Sequence, residues 1–95
     1  MIVGSGVVVI RIEGCRSLKE KRKVVKSLIT RLGNAFNISV AEIGANDIHQ
    51  RAEIGFAAVG NDSGVVNSKI DKIFNMVEDM AVAEVIETRM EILII

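Results

Sequence analysis

The chain has 95 residues, 49% of them hydrophobic and 25% charged, with twelve Lys and Arg balanced by twelve Asp and Glu. That length closes one core and not two, and the absence of Pro with an ordinary charged fraction excludes a linker-rich or disordered chain. A single cysteine, Cys15, cannot form an internal disulfide, and the apolar start Val7 to Ile10 is too short for a signal-peptide core or a membrane span, so one cytoplasmic domain over residues 1–95 with no membrane partner is expected.

Residues 2–13 hold a β-branched run whose end alternates through Ile10, Arg11, Ile12 and Glu13, which predicts a strand broken by Gly14. Ser17 followed by Glu20 forms a capping box, in which each side chain satisfies the other residue's free amide at a helix start. The helix runs from Leu18 to Asn34, with Leu18, Val25, Leu28, Ile29, Leu32 and Phe36 on one face and Gly33-Asn34 as its stop. Residues 37–44 and 52–59 read as a hairpin around the polar stretch 45–51, and the tetrapeptide Ala-Glu-Ile-Gly at 41–44 and 52–55 reads as similar strand chemistry rather than duplication. After the turn at Gly60 to Ser63, Val66, Ile70, Ile73, Phe74, Val77 and Met80 keep helical spacing, and residues 82–95 alternate as a last strand through Ile86, Thr88, Met90, Ile92 and Ile94.

The order strand, helix, strand, strand, helix, strand is the split βαβ pattern of ferredoxin-like domains: an α+β sandwich, βαββαβ, with an antiparallel sheet carrying both helices on one face. Period-two counting sends Val7, Val9, Gly55, Ala57, Val59, Val85, Leu93 and Ile95 to the other face with Arg11, Glu87, Arg89 and Glu91. So apolar a surface predicts that further copies of the chain pack there.

Charge is segregated although the total is zero. Seven of the twelve basic residues lie between Arg16 and Arg31, where Glu20 is the only acid, and the chain up to Arg51 carries plus five against minus five for the rest. On the first helix Lys19, Lys23 and Lys26 form a stripe, with Ser27, Thr30 and Arg31 beside it and Lys21 and Arg22 flanking the core side. Two readings stand. Lys-rich helices often only solvate a surface, but such helices usually mix Glu with Lys to gain pairs four residues apart. The functional reading is attraction for an RNA backbone through Arg16, Lys19, Lys21, Arg22, Lys23, Lys26 and Arg31, extended by Gln50 and Arg51. Four or five neutralised phosphates would give a log affinity against log salt slope of about −3. With no Trp, no Tyr and three Phe at positions that do not form a platform, base stacking on the sheet is not expected.

The turn before the first helix offers Arg16, Ser17 and Lys19 as an anion site at a helix N-terminus, beside the plainer reading in which Ser17 caps and Arg16 is solvated. Fold analogy adds a third possibility, an acylphosphatase-like hydrolase using that loop, without the Asn-bearing strand pattern that would position a water. Cys15 has no resolving partner, His49 lacks companions at metal-ligand spacing, and Gly4-Ser5-Gly6 precedes a strand, which is the wrong context for a nucleotide loop. No catalytic residue, metal site or cofactor is assigned.

The stretches RSLKEKRKVVKSLITRL and FNISVAEIGANDIHQRAEIGFAAVGND closely resemble the bacterial YlxP-like family, a domain family of unknown function. Ser17-Leu18-Lys19-Glu20-Lys21-Arg22, Ser39-Val40-Ala41-Glu42 and Gln50-Arg51-Ala52-Glu53 carry the likeness most specifically, and many members have Trp where this chain has His49. The resemblance implies a ferredoxin-like fold, no established enzymatic activity and, because genes of this family often adjoin those of translation initiation and ribosome maturation factors, an association with translation. The expected partners are ribosomal RNA or a ribosomal particle, and other copies of the chain through the open sheet face.

Overall fold

In a computed structural model describing residues 1–80 and 82–95, the chain forms β1 (Ile2–Arg11), α1 (Leu18–Ala35), β2 (Ser39–Gly44), β3 (Arg51–Gly60), α2 (Ser63–Asp79) and β4 (Glu84–Ile94). All strand pairings are antiparallel, in the order β2-β3-β1-β4, which is the ferredoxin-like topology the element order predicts. The central strands alternate as a half-buried sheet should. Ile2, Val8 and Ile10 of β1 and Ala52, Ile54 and Phe56 of β3 face the helices and join Val25, Leu28 and Leu32 of α1 and Val66, Ile70, Ile73 and Val77 of α2 in one core. Each large aliphatic side chain fully buried there contributes about 1.5–3 kcal/mol.

Two glycines of β1 set how closely the layers meet. A Cβ on Gly4 would lie 2.5 Å from Val66 and 2.7 Å from Ile70, so the missing side chain lets α2 rest on the strand. A Cβ on Gly6 would lie 2.2 Å from the ring of Phe56, which in turn meets Phe74 edge-to-face at 5.7 Å. The Gly-Ser-Gly segment is therefore a packing device inside a strand.

Three local expectations change. Gly33 stays helical and α1 runs on to Ala35, where extended Phe36 caps it by donating its N–H to Leu32 O at 2.9 Å. β4 shifts register between Val9 and Ile10, so Val85, opposite Ile10, faces the core and the outward assignment of Val85 is corrected; Ile86 is the extra residue that reverses the count. Val9 does lie on the outward phase of β1 but is 1% exposed, in register with Glu53 and Glu87 on the two flanking strands. The repeated tetrapeptide falls in opposite phases: Glu42 faces the helices, and Glu53 faces away from them. Similar strand chemistry, not duplication, accounts for it.

Candidate nucleic-acid interface

The capping signal positions α1. Ser17 Oγ accepts the Glu20 N–H at 3.1 Å, as expected, but the Glu20 carboxylate reaches past Ser17 to the Arg16 N–H at 2.8 Å. The helix entrance is thus occupied by the chain's own acid, which works against the anion site assigned to Arg16, Ser17 and Lys19. Cys15 lies beneath this turn, 6% exposed, with its thiol directed at Ser17 O. His49 is exposed in the hairpin turn. Among the described residues no cluster of three or more His, Cys, Asp or Glu could hold a metal ion.

Beyond the cap the helix presents its cations unequally. Lys19, Arg22, Lys23, Lys26 and Arg31 are exposed, whereas Lys21, assigned to the same surface, is 1% exposed. Its position explains this correction. Lys21 precedes Val25, Leu28 and Leu32 at helical spacing, so it points into the fold, where its ammonium lies 3.0 Å from Glu42 Oε2 and donates to the carbonyl of Ala45. The contact with Glu42 is ionic and poorly angled, leaving Oε2 without a hydrogen-bond donor. Lys21 therefore fastens α1 to β2 and the hairpin. Counting basic residues in the segment could not reveal this, although its place on the apolar face could have.

Arg51 does not lie on the stripe either, and Gln50 is exposed in the hairpin turn. The Gln50 carbonyl accepts the Ile12 N–H at 2.9 Å, and Arg51 stands opposite Arg11 on the sheet face away from the helices, 3.5 Å from Glu53. That face also holds Arg11 at 3.8 Å from Glu84 and Arg89 at 2.9 Å from Glu87. Every cation of the sheet thus has an acid beside it. Among the described residues no ion pair involves Arg16, Lys19, Arg22, Lys23, Lys26 or Arg31.

The other half of the open face is apolar and flat. Ser5 and Val7 of β1, Gly55 and Ala57 of β3, and Ser39, Ala41 and Ile43 of β2 line a shallow surface, continued by Val3, Val59 and Leu93. Val59 is 60% exposed and Leu93 44%. No described helix is long and apolar enough to cross a membrane.

Fold and surface together define a small α+β sandwich of the split βαβ class with one cationic helix. A family model described as "Protein of unknown function (DUF503)" matches residues 3–90, and the chain belongs to that family. Among its relatives is the uncharacterized protein YlxP of Bacillus subtilis (strain 168), 37% identical over 75 residues that span 79% of this chain and 82% of the relative. Similar solved structures include the de novo designed protein Foldit4 (TM-score 0.56, 12% identity, 96% and 97% of the two chains covered) and At3g17210 from Arabidopsis thaliana (TM-score 0.51, 10% identity, 98% and 94% covered). At such identities the likeness concerns the fold alone.

Proposed function

We propose that this protein is an accessory factor that binds the phosphate backbone of ribosomal RNA or of a ribosomal particle through the exposed face of α1. The observation that carries the reading is the contrast in pairing: the sheet's cations each have a carboxylate neighbour, while those of the helix stripe are exposed and lack an ion pair among the described residues. Lys19, Lys23 and Lys26 supply the stripe, with Arg22, Arg31 and Arg16 around it. A point-charge surface of this kind attracts phosphates without reading bases, and its affinity falls steeply with salt. Changing Lys19, Lys23 and Lys26 together to Glu should abolish co-sedimentation with ribosomal subunits at low salt, and for the unaltered protein a salt series should give a slope of about −3. Association that survived the triple change would end this reading.

A second reading, self-association through the open sheet face, is favoured by the apolar surface around Gly55 and Ala57 and by exposed Val59 and Leu93. Light scattering at micromolar concentration tests it; a monomeric mass is the contrary outcome.

A further inference from the structure

At the C-terminal end of α1, a groove opens between the helix terminus and the start of α2. Phe36 and Val65 line it with Gly64 and Ser68, and with Lys69 and Lys72. Asp62 also borders it, its carboxylate held as the cap of α2 by the Gly64 N–H at 3.1 Å. Gly64, Ser68 and Lys72 recur every fourth residue, as do Val65 and Lys69, so two adjoining rows of α2 form that side.

Three observations identify what fits. Of the three Phe residues, Phe56 is buried and Phe74 meets it edge-to-face, whereas half-buried Phe36 borders the groove. Val65, at 62% exposure, offers bare apolar surface next to it. Lys69 and Lys72 take part in no ion pair among the described residues. A flat apolar ring with an attached anion matches that combination: the π-face rests on Phe36 and Val65, and the anion lies near the two ammonium groups. An uncharged apolar peptide would leave both lysines without partners.

We infer that this groove is a nucleotide subsite, taking one base and its phosphate from a single strand whose backbone follows α1. The inference rests on the reading of α1 as a backbone-binding surface. From Lys19 to Phe36 the helix rise covers about 25 Å, and Phe36 lies about a quarter turn round α1 from the stripe, so a strand laid along the stripe reaches the groove by curling round the end of the helix. Base stacking, absent from the sheet, is thereby supplied at the helix terminus. Ser68 Oγ and the Asp62 carboxylate border the same groove as polar groups for a ribose or a base edge.

The test uses two probes on the full chain: adenosine 5′-monophosphate, followed by NMR at millimolar concentration, and a twelve-nucleotide oligoadenylate, followed by fluorescence anisotropy. AMP should shift the amides of Gly64 and Ser68 and the ring of Phe36. Phe36→Leu should weaken binding of both probes at least roughly fivefold, the low end of the stacking range. The double variant Lys69→Gln, Lys72→Gln, both on the surface of α2, should lower the oligoadenylate salt slope by about 1. AMP shifts away from the groove, or oligoadenylate binding that needs Lys19, Lys23 and Lys26 but ignores both groove variants, would overturn the subsite and leave the α1 reading standing. AMP shifts in the groove that weaken in Phe36→Leu, without oligoadenylate binding, would support the subsite and overturn the α1 reading.

Discussion

The ammonium of Lys21 occupies a position where helical spacing would otherwise place an apolar side chain, and two partners make that tolerable: Glu42 on β2 and the carbonyl of Ala45. Ala45 is itself in the left-handed region at φ 58°, which Ala adopts at a cost of about 1–2 kcal/mol. One buried cation thus holds a strained turn and an acid at once. Lys21→Met should lower stability by about 2–4 kcal/mol, below the full range for a broken buried pair because a fifth of the Glu42 side chain is accessible. Urea unfolding measures it. Adding Glu42→Leu should recover much of the loss, since an apolar pair of similar volume needs no desolvated charge. The sequence places Lys21 on the apolar face of α1, which points to burial, but does not name its partners Glu42 and Ala45, because they lie on another element. The groove at Phe36 was hidden for the same reason: Phe36 reads as a core residue, and nothing in the local pattern brings Lys69 and Lys72 beside it.

At the scale of the element, α1 owes its start to side chains readable in order. Ser17 and Glu20 at capping-box spacing announce the N-terminus, and the buried face of Val25, Leu28 and Leu32 follows from the period. Ser17→Ala should cost about 1 kcal/mol, read as a lower urea midpoint with an unchanged m-value. The helix end was less readable. Gly33 is a common stop signal, yet apolar packing of Leu32 and Phe36 carries the helix past it. β4 shows a different limit. Alternation from Ile94 back to Thr88 assigns the faces correctly, and the extra residue at Ile86 then inverts them for Val85. A bulge is a property of pairing with β1, so the strand's own pattern does not disclose it.

Across the whole molecule, zero net charge conceals a cationic helix surface backed by a sheet whose cations each sit beside an acid, with Glu91 left over. The open face measures about 20 Å across four strands and about 33 Å along the three longer ones, with β2 only six residues long, or roughly 570 Å² per copy. A standard interface takes about 800 Å² per partner, so the apolar half alone is too small for a stable dimer, and association must also cover the ion-paired end. Val59→Glu with Leu93→Glu, both at exposed positions, should therefore convert any dimer to monomer in light scattering without altering the circular dichroism spectrum. The sheet order has a kinetic side as well. β1 lies between β3 and β4, and Ile2 faces Ile94. Closing a loop of about 90 residues costs about 2 kcal/mol more chain entropy than closing the β2–β3 hairpin over about 10. The hairpin should form early and β4 dock last, so Ile92→Val should speed unfolding while leaving the refolding arm of a denaturant chevron nearly unchanged. During synthesis the central strand is made first and meets its second neighbour only after the rest of the sandwich has emerged, so the apolar surface of β1 must wait for most of the chain to be translated.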